Sequence, residues 1–326
     1  MSKKLKFSVL DLVPIPDGQT SREAIETSAE VAAAAEGMGF ERYFIAEHHN
    51  TPMLASAATS VIIEYILSRT KTIEVGAGGV MLPNHSPLQV AETYATLDVL
   101  YPGRVVLGLG RAPGTDPLTA RLIVRRAYTR NQDFYDDVIQ LIGYFGRDAK
   151  GAVQAYPGAG SSVWPIILGS TPNSAYVAAA AGLPYAYATH FSKERASEAV
   201  SIYRERFLPS RYLEDPYVMI SLWNFAAPTF EEAEKRYESL LTYMRDTMGR
   251  APSADGTPRP LSSGEKIVLS AQFGGALRGS ANELPESWEV WRQTIDPDEV
   301  ILANFRTTAE QSVEALRIAK DTISAL

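Results

Sequence analysis

The chain predicts a single (β/α)8 TIM barrel with insertions, and three observations carry that prediction. Eight apolar runs, each followed by a helix pattern, succeed one another along the chain. Most of the runs are apolar at consecutive positions, as a parallel sheet covered by helices on its outer face requires. The length, 326 residues, suits one large barrel or two average domains. A doubly wound sheet is the alternative, but it usually needs fewer units or a second domain. The whole chain, residues 1–326, is read as one domain.

The first strand is placed at residues 5–12, before a loop with Pro14, Pro16 and Gly18. Thr20-Ser21-Arg22-Glu23 has capping-box form and opens an Ala-rich helix that ends at Gly37-Met38-Gly39. Strand two is 42–46, helix two about 55–68, strand three 72–76 and helix three about 87–100, with Pro87 in its first turn. Strand four is 104–109; a longer excursion follows, with one helix over 131–145 and a Gly/Pro/Ser-rich loop over 151–162. Strand five, 164–168, leads into a helix that closes at Gly182. Strand six is 184–189, helix six about 193–207, and strand seven 217–225. Thr229-Phe230-Glu231-Glu232 starts a helix reaching about residue 248, and 250–264 is the longest low-order stretch. Strand eight is 299–303, and Thr307-Thr308-Ala309-Glu310 caps the last helix.

A hydrophobic fraction of 45% leaves ample material for a core, and a formal net charge of -7 with no dense basic cluster argues against nucleic-acid binding. The absence of cysteine excludes disulfides, thiolate metal sites and cysteine nucleophiles. The basic N-terminus runs into a strand rather than a signal-peptide core, and no apolar run is long enough to cross a bilayer, so the expectation is a cytoplasmic protein without a membrane partner.

In a barrel of this kind the working residues sit on the loops after the strands. The stretch Tyr43-Phe44-Ile45-Ala46-Glu47-His48-His49-Asn50 begins as a buried strand and ends in three ionisable side chains. The other histidines, His85 and His190, also fall beyond strand ends, after strands three and six. Gly76-Ala77-Gly78-Gly79 is an odd strand ending, because glycine costs backbone entropy and packs nothing; a close neighbour, such as a flat aromatic ligand, would explain it, as would a plain tight turn. Arg111, beside Gly110 and Gly114, could meet an anion. Ser170-Thr171-Pro172-Asn173-Ser174 opens a helix, whose N–H groups and hydroxyls could do the same, although Thr171 before Pro172 also makes a good N-cap. A flat ring over glycines plus one phosphate describes a flavin mononucleotide.

These motifs together resemble the bacterial luciferase-like flavin monooxygenases nearly end to end. The segments are Ala46-Glu47-His48-His49-Asn50, Val75 to Pro87 with Gly78, Gly79, Asn84 and His85, and Pro102-Gly103-Arg104 to Asp116 with Arg111; Leu168-Gly169-Ser170 and Gly182-Leu183-Pro184-Tyr185 continue the series. The resemblance is to the uncharacterised oxidoreductases of the family rather than to its light emitters. It implies reduced FMN supplied by a separate flavin reductase, O2 as co-substrate, a small organic substrate and a homodimer. It places the family's essential histidine at His48 with His49 beside it, the phosphate arginine at Arg111, the phosphate serine at Ser170 with Asn173 and Ser174 following, and a non-prolyl cis peptide at Gly78-Gly79. Asn84 and His190 complete the expected cofactor set. Two positions depart from the light emitters: Gly110 stands where they carry a cysteine and Gly169 where they carry a glutamate, which puts aldehyde oxidation and light emission in doubt. A lid role for residues 250–279 is a hypothesis on a poor match. The rivals are an F420-dependent hydride-transfer enzyme on the same fold, a metal-dependent hydrolase, and a non-catalytic partner subunit. Adjacent histidines on a strand point to opposite faces and chelate poorly, so no metal is expected.

Overall fold

The computed structural model describes residues 4–16, 18–127, 130–146, 153–247, 260–272, 275–305 and 308–326. In chain order the strands are β1 (Lys6–Asp11), β2 (Arg42–Ile45), β3 (Glu74–Met81), β4 (Val105–Gly110), β5 (Trp164–Gly169), β6 (Tyr185–Tyr187), β7 (Val218–Ala226), β8 (Ala276–Gly279) and β9 (Glu299–Ala303). β1 to β7 pair in succession, β7 pairs with β9 and β9 with β1, every pair parallel, so eight strands close a barrel. The expected TIM barrel is therefore present. β8 was not foreseen: it lies outside the ring and, among the described residues, pairs only with Trp223–Ala226 at the end of β7. It is four residues long and carries Arg278, so it has no apolar run to announce it.

The helices covering the barrel are α1 (Ser21–Gly37), α2 (Thr59–Leu67), α3 (Pro87–Leu100), α4 (Pro117–Ile123), α5 (Asn131–Tyr144), α6 (Pro172–Ala181), α7 (Ala196–Arg206), α8 (Phe230–Thr247), α9 (Ser263–Gln272), α10 (Leu284–Thr294) and α11 (Ala309–Ser324). Their ends follow local chemistry. Thr20 and Glu23 form the expected capping box on α1, with Thr20 N donating to Glu23 Oε2 at 2.7 Å. Gly182 closes α6 at φ 63°, where a Cβ would be strained. At α11 the cap is Thr308 with Gln311, one residue beyond the foreseen Thr307–Glu310 pair; Thr307 itself lies outside the described residues. The proposed lid overlaps α9 and β8, and its residues 250–259 and 273–274 also lie outside the described residues.

Strand alternation organises the barrel interior, since successive side chains point to opposite faces. At the N-terminal end Arg42 pairs with Glu299 and, through Nε at 2.7 Å, with Glu74; its guanidinium lies 4.3 Å from the Trp164 ring centroid. Tyr217 Oη donates to Glu299 Oε2 at 2.7 Å, and Ser8 donates to the other oxygen. These residues stand at or near the starts of their strands and form a polar floor. Above them an apolar layer contains Leu10, Phe44, Val106, Ile166, Met219 and Ile301. Two residues further along each strand, the same faces reach the open C-terminal mouth.

β3 runs to Met81, five residues past the expected end at Gly76, because its glycines are wall residues rather than a turn. A Cβ on Gly76 would lie 1.8 Å from Val106 O, and one on Gly79 2.4 Å from Leu168 Cδ1. The close neighbour anticipated at these glycines is thus the adjacent wall of the barrel. The register shifts between Ala77 and Val80, where the Gly78-Gly79 peptide is cis.

Candidate active site

A cavity of about 1690 Å³ opens at the C-terminal mouth, and residues in or following all eight strands of the ring line it. It brings together His48, His49, Gly78, Arg111, Ser170, Asn173, Ser174 and His190 from the expected set. Gly79 and Asn84 are not among its lining residues. Gly79 packs on Leu168 and Gly108 in the barrel wall. Asn84 turns its amide to Glu47 Oε1 at 3.2 Å and Pro113 O at 3.0 Å, so it acts on the loops behind the cavity.

His48 continues the inward phase of Arg42, Phe44 and Ala46, while Glu47 and His49 take the outward phase. This separates the two histidines. His49 Nε2 lies 2.9 Å from Glu47 Oε1, and His85 Nε2 approaches the same carboxylate at 2.9 and 3.0 Å. Met81 N donates to Glu47 Oε2 at 3.1 Å. Burial alone would raise the Glu47 pKa; the hydrogen bonds from His85, His49 and Met81 outweigh it and hold the carboxyl below its ordinary range. Glu47 is therefore a buried, ionised hub joining the ends of β2 and β3. Apart from His49, its partners lie 34 to 38 residues away, and no local spacing could have revealed them.

His48 is held by none of these bonds. Its Nδ1 is buried without a partner among the described residues. Burial lowers its pKa, Glu47 opposes that shift, and His49 adds to it, so the ring is neutral at pH 7. His190 sits deeper, 4% exposed, with Nδ1 2.6 Å from Ser221 Oγ and its ring edge-on to Trp223 at 5.4 Å. Burial pushes its pKa down to about 4, and the nearby His48 contributes in the same direction. Ser221 and Trp223 come from β7 and were not anticipated, because a serine and a tryptophan inside an apolar strand carry no motif.

The rim has a different character. Arg111 is exposed, and its Nη1 donates to Asn131 Oδ1 at 2.8 Å. Asn131, the first residue of α5, is a further residue that sequence spacing does not bring to Arg111. The start of α6 faces the same cavity through Ser170, Thr171, Asn173 and Ser174. Thr171 is the N-cap residue, but its side chain makes no capping bond. Ser174 Oγ donates to Thr171 O at 2.7 Å and lies 3.0 Å from Tyr185 Oη. A Cβ on Gly169 would lie 1.9 Å from Ser174 Oγ, so glycine is what lets α6 begin this close to the end of β5.

The sequence model of the luciferase-like monooxygenase family matches residues 5–314. The chain is 46% identical over 239 residues to a luciferase-like monooxygenase of Escherichia coli strain K12, covering 73% of this chain and 71% of that one. It is 38% identical to the uncharacterized protein YddN of Bacillus subtilis, covering 99% and 97%. Among solved structures, apo-MsnO8 superposes with a TM-score of 0.84 at 27% identity over 99% of both chains. Two others share the fold at 14% identity: the FMN complex of the oxygenating constituent of 3,6-diketocamphane monooxygenase from Pseudomonas putida (TM-score 0.72, 98% of each chain) and an F420-dependent secondary alcohol dehydrogenase with an F420-acetone adduct (TM-score 0.71, 98% and 99%). With the barrel, the Glu47–His48–His49 segment and the rim arginine in place, the near full-length family match makes this chain a member of the luciferase-like monooxygenase family.

Proposed function

We propose that the chain binds reduced FMN and uses O2 to oxygenate a small organic substrate. The observation that carries this is one cavity with a cationic, hydroxyl-rich rim and a buried end holding two neutral histidines. Its volume of about 1690 Å³ exceeds the ~300–1,000 Å³ of an ordinary ligand pocket, which suits a cofactor and a substrate together. The donor set fits a flavin phosphate: the Arg111 guanidinium, oriented by Asn131, and the opening turn of α6 with Ser170, Asn173 and Ser174. Gly78 lies on the cavity wall, where the flat ring would rest.

When bound, reduced flavin supplies the electrons that activate O2. The residues of the chain do the rest. Arg111 and the start of α6 hold the phosphate. His48, which lines the cavity and is neutral at pH 7, accepts or returns a proton at the reacting centre. Glu47 acts one layer back, locking His49 and the end of β3. The apolar wall limits the access of water to the reaction.

A separate flavin reductase, a homodimer and a cytoplasmic location belong to the same proposal; among the described residues no helix is long and apolar enough to cross a membrane. The second reading is F420-dependent hydride transfer, favoured by the shared fold with the F420-dependent alcohol dehydrogenase. Oxygen uptake with enzymatically reduced FMN, with mass spectrometry of candidate substrates, decides between them. Substrate-dependent uptake and an oxygen-bearing product are expected. Anaerobic reduction of F420 by an alcohol, with no oxygenation from reduced FMN, would replace the first reading by the second.

A further inference from the structure

The inner end of the cavity holds a pair that the flavin site does not use. Ser221 Oγ lies 2.6 Å from His190 Nδ1 and 3.4 Å from Tyr187 O. A serine hydroxyl has one proton, and a carbonyl oxygen can only accept. With the Ser221 proton directed to Tyr187 O, the Ser221 oxygen accepts from His190, which places the imidazole proton on Nδ1. Nε2 is then a lone pair, without a partner among the described residues.

The surroundings define what could meet that lone pair. Phe191 packs on the His190 ring at 4.1 Å between centroids, Trp223 stands edge-on to it, and Phe305 stands edge-on to Trp223 at 6.0 Å. Among the described lining residues the charged side chains are Glu47, Arg111 and Asp116. Glu47 is engaged by His49 and His85, Asp116 caps α4 through Leu118 N and Thr119 N, and Arg111 stands exposed at the rim. Among the described residues no cation is left at the inner end to receive a carboxylate or phosphate.

We infer that the inner end is the substrate subsite, and that it takes an uncharged hydroxyl-bearing aromatic molecule whose O–H donates to His190 Nε2 while its rings lie against Phe191 and the edge of Phe305, with the buried Trp223 behind them. This rests on the rim being the flavin phosphate site, and it assigns His190 to the substrate rather than to the cofactor. A ligand without a donor leaves the lone pair unanswered in a buried setting, which discriminates more strongly than a missing apolar contact.

Isothermal titration of the flavin-free protein at pH 7 tests this with three naphthalenes of matched shape: 2-naphthol, 2-methoxynaphthalene and 2-naphthoate. We expect 2-naphthol to bind about tenfold more tightly than 2-methoxynaphthalene, with 2-naphthoate weaker than both. His190→Phe should remove the preference for 2-naphthol, and Ser221→Ala, which releases the tautomer, should reduce it to below about threefold. Equal binding of 2-naphthol and 2-methoxynaphthalene by the unaltered protein, tighter binding of 2-naphthoate, or no binding of any of them overturns the inference, whatever the variants do. A parallel FMN titration separates it from the flavin reading. Naphthol binding retained in FMN-saturated protein supports both; displacement of naphthol by FMN overturns the substrate subsite and leaves the flavin site standing. Naphthol preference with no FMN binding does the reverse.

Discussion

At the scale of the residue, alternation along β2 and its extension decides which of two adjacent histidines can do chemistry. His48 faces inward and lines the cavity, its Nδ1 buried without a partner among the described residues, whereas His49 is bonded to Glu47. His48→Ala should therefore leave FMN affinity within about twofold, since none of the phosphate donors moves. It should divert oxygen uptake from product to hydrogen peroxide, read by comparing peroxide with oxygenated product. Unchanged coupling would remove His48 from the mechanism. Arg111→Ala should cost about 1.5–3 kcal/mol of FMN binding, the range for hydrogen bonds to charged groups, or roughly ten- to a hundredfold in Kd. Fluorescence titration reads it, and equal affinity would place the phosphate elsewhere. The roles of individual types were legible here because histidine and arginine carry their chemistry wherever they stand. The hub was less so: Glu47 was visible beside the histidines, but its donors Met81, Asn84 and His85 arrive from the next unit of the barrel.

At the scale of the element, the helix termini were the most readable features, since caps are written locally. Thr20–Glu23 and Pro87 mark the ends they were expected to mark. α2 begins at Thr59 rather than near Ala55, because its N-cap, Ala58, brings no capping side chain to mark the boundary. β3 was misjudged for the opposite reason: glycine reads as a break, and only packing against β4 and β5 shows that it belongs to the wall. The junction of β5 and α6 can be tested directly. Gly169→Ala puts a methyl group into Ser174, so it should cost about 1–3 kcal/mol of stability by overpacking and shift the start of α6. Adding Ser174→Gly removes the clashing atoms and should recover a large part of that loss. Urea unfolding of the single and double variants measures both, and additive losses would show that the contact is not the cause.

At the scale of the whole molecule, the eightfold repetition of strand and helix made the barrel readable, while β8, α9 and α10 escaped notice because they interrupt that repetition between β7 and β9. The buried histidines tie the stability of the barrel to pH. The His190 pKa falls from 6.5 to about 4 on folding, because burial disfavours the charged ring. Between those values the unfolded chain takes up a proton that the folded one refuses, so stability is lost as pH falls from about 6.5 to 4, by up to about 3 kcal/mol. The lowered pKa of His48 acts with the same sign. His190→Phe should flatten this part of the profile, measured as urea unfolding free energy at pH 7 and pH 4.5. Parallel profiles for the two proteins would assign the acid sensitivity to other groups.

The polar plate of Arg42, Glu74 and Glu299 at the opposite end of the barrel has a consequence for traffic. Among the described residues its ion pairs close that end of the axis, so guests come and go at the C-terminal mouth. Two guests sharing such a room must pass each other or queue, and the one nearer the threshold governs how long the other stays.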